Sequence, residues 1–380
     1  MANENADEQV HWLAAQCREL VTRARYETDG GAVLYYPAAE GDSYPRFYLR
    51  DFTYMYASAP ELFPDDEVRP VVQMVLDNVR DDGWAPEKIE TDGSALYRCH
   101  GNGDVVDSGP FCIQLVKAFV EATGDTELMP ANLEKFWRML DVLPHHDDTG
   151  LIWIEPDNPH TAYGFSDTIA KTGQELFCSL LVFEALGILR DWASAAGNSD
   201  VAQDCDAWGA KIRDSLPLLW SEEVGMFFAA SIDCRQIDIW GSIYACRVGA
   251  VSDAVSETIM NWLDTNRDKF EFRSHLRHLP QPELWQRMTP PFDVPDEMFY
   301  PGAFQNGPYW STPSGWYAEL LEARAPGAGL QFLCELVETF RELGVWECID
   351  PDGYRRIPDN LSSALLPYAA LKRIRNAGRC

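Results

Sequence analysis

The sequence Tyr-Gly-Phe-Ser-Asp-Thr-Ile-Ala-Lys-Thr-Gly-Gln-Glu, residues 163–175, joins a polar, glycine-containing loop to a long apolar run, residues 176–189. This order is typical of a loop that presents polar groups from a buried scaffold. If a helix begins near Asp167, then Asp167, Lys171 and Glu175 are spaced four residues apart and lie on one helix face. The stretch therefore predicts two carboxylates and an ammonium group in one pocket. The simpler interpretation is a capped helix with a solvated Asp–Lys pair.

Twelve helical segments follow from the hydrophobic periodicity of the chain, and short connections between them alternate with long ones. We predict them at residues 9–26, 51–63, 65–80, 110–122, 131–143, from the opening stretch to 196, and at 200–220, 240–248, 253–263, 314–323, 327–343 and 361–375. Six helical hairpins whose long loops open on one face predict an all-α, (α/α)6 toroid of two concentric helix rings, with a site at one end. No linker divides the chain, so we expect one domain, residues 1–380.

The net charge of −29, from 60 acidic and 31 basic residues, excludes two classes of partner. Such a surface repels nucleic acid and anionic membranes. Only seven of the basic residues are lysine. The composition therefore also favours a salt-rich setting, in which screening relieves the self-repulsion of the surface.

The sequence carries no targeting, disulfide or metal-binding signal that we recognise. Its N-terminus is acidic, and no uninterrupted apolar run reaches about 18 residues, so we expect a cytoplasmic protein. The ten cysteines include no Cys-x-x-Cys spacing, which indicates small buried side chains rather than disulfides or zinc ligands. His145 and His146 are adjacent, point apart on any regular element and have no third ligand at a defined spacing. We therefore expect neither a metal nor an organic cofactor.

The dipeptide Arg50-Asp51 stands where an aromatic loop enters the second predicted helix. An Arg donates to ring oxygens while an Asp accepts from two vicinal hydroxyls, so this pair suits a sugar. The alternative is a helix-terminal Asp with a neighbouring ion pair. The next long loop adds Trp84, Glu87 and Asp107, although Asp107 also stands where a helix N-cap is expected.

Aromatic side chains and amides recur in the later loops. Trp153 precedes the opening stretch, and the segment 304–316 supplies four further candidates for sugar contact, Gln305, Asn306, Trp310 and Trp316. Amides and aromatic faces together are typical of a pyranose-binding site. The alternative is that these aromatic side chains fill the mouth of the barrel.

A second candidate carboxylate, Glu347, follows the eleventh predicted helix. Its neighbours Val345 and Trp346 form an apolar setting, which tends to raise the pKa of a carboxyl group. Two carboxylic acids cleave an acetal when one protonates the leaving oxygen and the other activates a water molecule. Asp167 and Glu347 lie about 180 residues apart, half of a six-unit ring, so we expect them to face each other. An inverting pair is separated by roughly 6.5–9.5 Å, which admits the water.

The order of these motifs resembles that of the six-hairpin inverting glycosidases, the group that contains glucoamylases, trehalases and the glucosidase part of glycogen-debranching enzymes. The resemblance spans about residues 46–368. Arg50-Asp51 is similar to the Arg-Asp pair that holds the terminal sugar in that group. The segment from Gln305 to Trp310 resembles the Asn-Gly-x-x-Trp motif of the trehalase-like and processing-glucosidase branches.

The same resemblance implies roles for the two carboxylates. Asp167 stands where the group places its general acid, although Phe165-Ser166-Asp167 replaces the Trp-Met-Asp form of the debranching enzymes. Glu347 stands in a late motif like the one that supplies the general base. The 380 residues are fewer than in most members of the group, so we expect no accessory β-sandwich. The resemblance therefore implies an inverting glycoside hydrolase for a small, α-linked glucoside or disaccharide.

On this interpretation the remaining candidates contact the sugar, namely Arg50, Asp51, Trp84, Glu87, Asp107, Trp153, Lys171, Glu175, Gln305, Asn306, Trp310 and Trp316. The same fold also hosts other chemistry. An unsaturated-uronide hydrolase needs basic residues for the uronate, a phosphorylase needs a cationic phosphate pocket, and a sugar epimerase uses histidines, of which the key loops hold only His100 and His160. A non-catalytic carbohydrate-binding protein would keep the sugar contacts and tolerate loss of either carboxylate.

Overall fold

A computed structural model of the chain describes residues 2–39, 43–99, 103–289 and 302–377. Within these ranges the twelve predicted helices are present, with ends that differ from the predicted ones. They are α1 (Ala2–Ala24), α2 (Leu49–Ser58), α3 (Asp65–Asp77), α4 (Ser108–Thr123), α5 (Leu128–Asp141), α6 (Leu176–Ala195), α7 (Ser199–Ser215), α8 (Ile239–Arg247), α9 (Asp253–Thr265), α10 (Ser314–Arg324), α11 (Ala328–Leu343) and α12 (Leu361–Ala377). No helix in the described ranges combines the length and the apolar character needed to cross a membrane.

The even-numbered helices form a closed cycle of contacts, in which α2, α4, α6, α8, α10 and α12 each touch the next and α12 touches α2 again. The odd-numbered helices pack outside this cycle. For example, α5 lies against α4 and α6, and α11 lies against α10 and α12. This is the arrangement expected of an (α/α)6 toroid.

Burial separates the two sets of helices. Every residue of α12 from Leu361 to Leu371 is buried, whereas α3 buries one stripe, residues Val68, Val71, Val72, Val75 and Leu76. A helix that is apolar all round must be enclosed by other elements, while a single stripe is enough for an outer helix. Neighbouring inner helices approach closely at Gly315 of α10, where a Cβ atom would lie only 2.8 Å from the main-chain oxygen of Leu366 in α12.

The described residues also form five small antiparallel sheets, so the prediction of an all-α protein was incomplete. Their strands are β1 (Arg25–Glu27), β2 (Val33–Tyr35), β3 (Phe47–Tyr48), β4 (Lys88–Ile89), β5 (Ala95–Leu96), β6 (Ile152–Ile154), β7 (Gly173–Glu175), β8 (Trp220–Ser221), β9 (Met226–Phe227), β10 (Glu271–Phe272), β11 (His275–Leu276), β12 (Tyr309–Trp310), β13 (Trp346–Ile349) and β14 (Arg355–Pro358). The largest sheet has the order β10-β11-β12-β13-β14. It carries Glu347 in its second-last strand.

Residues 163–175 are not helical, and the prediction that Asp167, Lys171 and Glu175 share a helix face was wrong. A short 3-10 turn covers Gly164–Ser166, and Gly173–Glu175 is strand β7, paired with β6. Gly173 has a φ of +81°, which ends a helical path, and a Cβ atom there would meet Ser231 Oγ at 2.3 Å. Helix α6 begins only at Leu176, where the Glu175 carboxylate accepts the Cys178 N–H at 2.7 Å and caps the helix.

Candidate active site

A cavity lies at the end of the inner ring where helix α2 begins. Its walls come from six separate parts of the chain and carry Pro37, Tyr44, Tyr48, Arg50, Asp51, Glu87, Gly164, Phe165, Asp167, Phe304, Gln305 and Glu347. Six of these residues are among those predicted from the sequence, namely Arg50, Asp51, Glu87, Asp167, Gln305 and Glu347. The fold thus brings both candidate catalytic carboxylates to one cavity.

Arg50, at the start of α2, is buried and contacts three carboxylates. Its Nε atom donates to Asp107 Oδ2 at 3.0 Å, and Asp51 and Glu87 each lie 3.7 Å from its terminal nitrogens. Burial opposes the charge of Arg50, but Asp107, Asp51 and Glu87 outweigh that effect and hold its pKa well above the usual range. Asp107 also accepts the Gly164 N–H at 2.9 Å, so the same carboxylate connects Arg50 to the turn before Asp167.

Gly164 leaves the space that the guanidinium group occupies. A Cβ atom at this position would lie 1.5 Å from Arg50 Nη2. Nη2 is buried and makes no hydrogen bond within the described part of the chain. A buried donor without a hydrogen-bond partner costs free energy, and the nearest carboxylate oxygen recorded for this nitrogen, Glu87 Oε1, lies 3.7 Å away.

Glu87 and Asp51 place two further carboxylates beside Arg50. Glu87 is 2% exposed and lies between two cations. Lys88 Nζ is 3.1 Å from its Oε2 atom, and Arg50 Nη2 is 3.7 Å from its Oε1 atom. Burial raises the pKa of Glu87, and it raises the pKa of Asp51 to about 6. Neither oxygen of Glu87 has a hydrogen bond of good geometry to the described residues. These acceptors suit the vicinal hydroxyls of a sugar.

Glu347 reaches the cavity from strand β13. Side chains alternate along a strand, so Glu347 faces the cavity while its neighbour Cys348 packs in the hydrophobic core. The Tyr44 hydroxyl lies 2.9 and 3.1 Å from the two carboxylate oxygens of Glu347 and donates to them. Burial raises the pKa of Glu347 well above its usual range, the Tyr44 hydrogen bond opposes this, and the charges of Asp51 and Asp167 add to it. Glu347 therefore holds a proton more readily than an ordinary glutamate does.

Asp167 follows the 3-10 turn directly and is held by groups from two distant loops. Its Oδ1 atom accepts from Gln305 Nε2 at 2.8 Å, and Cys99 Sγ lies 3.1 Å from its Oδ2 atom. The Thr289 hydroxyl donates to its main-chain oxygen at 3.2 Å. The carboxyl group is therefore fixed in orientation before any ligand arrives.

Four predicted sugar-binding tryptophans lie outside the cavity. Trp316 is in the middle of the inner ring against Tyr244, and Trp310 packs edge-on against Phe165, which does line the cavity. The interpretation that such aromatic residues fill the barrel therefore applies to these two. Trp84 stacks on His160, and Trp153 on β6 donates to Glu155 at 3.3 Å.

The other predicted residues outside the cavity have structural partners. Lys171 and Glu175 form a buried ion pair of 2.6 Å. Burial opposes the charge of Lys171, but Glu175 and Asp238 together raise its pKa. Asn306 accepts the Trp285 N–H at 2.6 Å and shapes its own loop. Asp107 contacts Arg50 from behind and, although it stands at the N-cap position of α4, its side chain makes no capping hydrogen bond.

Sequence reasoning missed several residues that border the site, namely Pro37, Tyr44, Tyr48, Lys88, Cys99 and Phe304. Tyr44 and Tyr48 belong to an aromatic loop that was recognised only as a whole, and Lys88 directly follows a predicted carboxylate. Cys99 had no local signal, because its contact with Asp167 spans 68 positions of sequence. His100 lies outside the described residues.

No protein-family model and no curated protein sequence matches this chain. Solved structures do match. The GH63 mannosylglycerate hydrolase of Thermus thermophilus, in complex with glucose, is 14% identical with a TM-score of 0.67, and the match covers 94% of this chain and 99% of that one. A Streptococcus pneumoniae protein from a family of metal-independent alpha mannosidases, in a non-productive complex with alpha-1,6-mannobiose, is 13% identical with a TM-score of 0.67, covering 98% and 96%.

A rhamnosidase from Klebsiella oxytoca with rhamnose bound is 13% identical with a TM-score of 0.65, and the match covers 90% of this chain and 60% of the rhamnosidase. At such identities the likeness concerns the fold. This chain shares the fold of all three proteins over at least 90% of its length.

Proposed function

We propose that this chain is an inverting glycoside hydrolase that acts on a small, uncharged, α-linked glucoside or disaccharide. The observation that carries the proposal is the meeting of Asp167 and Glu347 in one cavity whose floor holds the Arg50–Asp51 pair. Arg50 Nη2 and the carboxylates of Asp51 and Glu87 supply the donor and the acceptors that sugar hydroxyls require. Glycosidase neighbours on the same fold support the reaction class.

The reaction follows from the two carboxyl groups. Asp167 gives its proton to the glycosidic oxygen as the bond from that oxygen to the anomeric carbon breaks. Glu347 removes a proton from a water molecule, whose oxygen bonds to the opposite face of the anomeric carbon. The product therefore has inverted configuration, and the two carboxyl groups exchange their protonation states before the next cycle.

The charge of the cavity supports an uncharged substrate. Arg50, Lys88 and Arg46, which lie at or beside the cavity, are paired with carboxylates. Arg356 lies over the Phe304 ring at 5.0 Å and is not among the lining residues. The internal segments 40–42, 100–102 and 290–301 contain neither lysine nor arginine. A uronate or a phosphate would face four lining carboxylates, and the one cation among the described lining residues, Arg50, is already paired with carboxylates. This disfavours the uronide hydrolase and the phosphorylase.

The test uses Asp167→Asn and Glu347→Gln on a panel of α-glucosides and disaccharides, with the product anomer followed by NMR. We expect both variants to lose about 10²–10⁴ in kcat, since a positioned acid or base contributes that factor. Asp147→Asn and Glu223→Gln are matched controls, because both side chains are exposed and neither is among the lining residues. Losses below about 10² in both variants would reject the pair. An initial product of retained configuration would reject inversion, and sugar binding without turnover would leave a carbohydrate-binding protein.

A further inference from the structure

The Asp167 carboxyl group has a different neighbour at each of its two oxygens. Gln305 Nε2 donates to Oδ1 at 2.8 Å, and the Cys99 thiol sits 3.1 Å from Oδ2. The two oxygens of one carboxyl group therefore have chemically different neighbours. A general acid must carry its proton on one of them, so the asymmetry has a consequence for the reaction.

The orientation of the Gln305 amide is fixed by its other contacts. Its Oε1 atom accepts the main-chain N–H of Thr168 at 2.8 Å and the hydroxyl of the same residue at 2.7 Å. A main-chain N–H can only donate, so the amide cannot turn over. Nε2 consequently faces Gly164 O, at 3.2 Å, and Asp167 Oδ1. Because Oδ1 receives an obligate donor and a protonated oxygen accepts poorly, the acid proton belongs on Oδ2.

The Cys99 thiol beside Oδ2 differs from the Gln305 amide N–H beside Oδ1. The amide N–H can only donate, whereas a thiol is both a weak donor and a weak acceptor. Cys99 can donate to Oδ2 when Asp167 is ionised and turn its hydrogen away when Asp167 is protonated. Burial raises the pKa of Cys99 well above its usual range, and the charges of Asp167 and Glu87 add to this. A raised pKa favours the thiol form, so Cys99 can act through its S–H group.

We propose that Gln305 and Cys99 are positioning residues that make Oδ2 of Asp167 the proton-delivering oxygen, with the Cys99 thiol as its exchangeable partner. The proposal rests on the proposed function. In the reaction the proton passes from Oδ2 to the leaving glycosidic oxygen, and the Cys99 S–H then donates to the ionised Oδ2. No atom leaves Cys99, and the next proton comes from solvent. Gln305 thereby becomes a support for the acid instead of the sugar contact that its sequence motif suggested.

Other charged groups that act on Asp167 include Arg50, Glu87, Asp107 and Glu347. Each lies on a different part of the chain from Cys99, and none is changed by substituting it. A serine at position 99 would keep a donor of similar size but make it stronger. An alanine would remove the donor altogether. The two substitutions therefore act on Asp167 in opposite directions.

The contact itself is tested without any activity measurement, by the rate at which iodoacetamide alkylates Cys99 at about pH 8, read by peptide mass spectrometry. In Asp167→Asn the nearby carboxylate is gone, so thiolate forms more readily and we expect alkylation to be at least about tenfold faster, which corresponds to about one pKa unit. Cys334 on α11, half-buried and not bonded to Asp167, is the internal control and should react equally in both proteins. An unchanged Cys99 rate would overturn the contact.

The role is tested by the pH profile of kcat/KM for Cys99→Ser and Cys99→Ala. Because the acid must be protonated, we expect the alkaline limb to move to lower pH in the serine variant and to higher pH in the alanine variant, each by up to about one pH unit. A purely structural role would lower the rate without moving the limb. Unmoved limbs in active variants would reject the role of Cys99 alone, whereas a wild-type protein that hydrolyses no glycoside would reject the proposed function.

Discussion

Replacing Tyr44 by phenylalanine removes one hydroxyl from the cavity and leaves the ring in place. That hydroxyl donates to both carboxylate oxygens of Glu347, at 2.9 and 3.1 Å. Glu347 is 3% exposed, and burial already raises its pKa well above the usual range. The Tyr44 hydrogen bond is the main influence in the other direction, because it stabilises the ionised carboxylate. Its loss should raise the pKa of Glu347 further.

The size of the effect follows from the energy of a hydrogen bond to a charged group. Such a bond contributes about 1.5–3 kcal/mol, and one pKa unit corresponds to about 1.4 kcal/mol. The expected rise is therefore about one to two units. A general base must be ionised, so activity is lost as the pH falls through the pKa of Glu347. Because that pKa is raised, the acidic limb of wild-type kcat/KM should lie above the ordinary Glu range of about 4.3, and Tyr44→Phe should move it higher still.

The assay is kcat/KM against pH for the wild-type protein and Tyr44→Phe, since this quantity reports the ionisation of the free enzyme. On the alkaline side of the shifted limb the variant should regain most of its activity. Tyr36→Phe provides a matched control, because Tyr36 stacks on Tyr26 and is not among the lining residues of the cavity. An acidic limb that stays in place would refute the role of Tyr44. A shift of the alkaline limb instead would mean that Glu347 is the acid, and would reverse the assignment of the two carboxylates.

Three further expectations concern stability and the boundaries of the site. In Gly164→Ala the added methyl group would lie 1.5 Å from Arg50 Nη2, so we expect a loss of about 3 kcal/mol in the free energy of unfolding and a higher KM. Gly187→Ala is the control, because its Cβ meets nothing within 4 Å, and it should keep the wild-type stability and KM. A wild-type KM in Gly164→Ala would contradict the close contact with Arg50. Lys171→Met should lower the free energy of unfolding by about 3–5 kcal/mol, because Glu175 and Asp238 lose their buried cation, and should leave KM unchanged. A large rise in KM would instead indicate that Lys171 contacts the substrate. If the net charge of −29 reflects a salt-rich setting, the Tm should rise when NaCl increases from about 0.1 to 1 M, which shortens the Debye length from about 10 to 3 Å, and a Tm that does not rise would argue against it.

The helical architecture was predictable because periodicity is a local property of the chain. Helices such as α3 and α11 show their single buried stripe directly in the sequence. The start of α6 was not predictable in the same way. The apolar run was recognised, but the pairing of Gly173–Glu175 with Ile152–Ile154 depends on contacts between distant residues, and these overrode the four-residue spacing.

The site was predictable where a motif stands at a helix end or follows a helix, as for Arg50, Asp51 and Glu347. Aromatic residues were less informative, because a tryptophan serves a core as readily as a sugar face. The residues that precede Trp316 in the sequence are typical of a binding loop. Its side chain is nevertheless only 2% exposed and lies inside the helix ring. Tyr44 and Cys99 were not singled out, because their significance lies in bonds to Glu347 and Asp167 across the fold, which the sequence around them does not show.

The proposed roles of Asp167 and Glu347 are tested most directly by comparing two leaving groups on one sugar. A glycosyl fluoride needs little help from a general acid because fluoride departs readily, whereas an alcohol leaving group needs its proton. We predict that Asp167→Asn loses about 10²–10⁴ in rate on the disaccharide and little on the fluoride, and that Glu347→Gln loses a comparable factor on both. Equal losses of Asp167→Asn on the two substrates, or the reverse pattern between the two variants, would contradict the assignment.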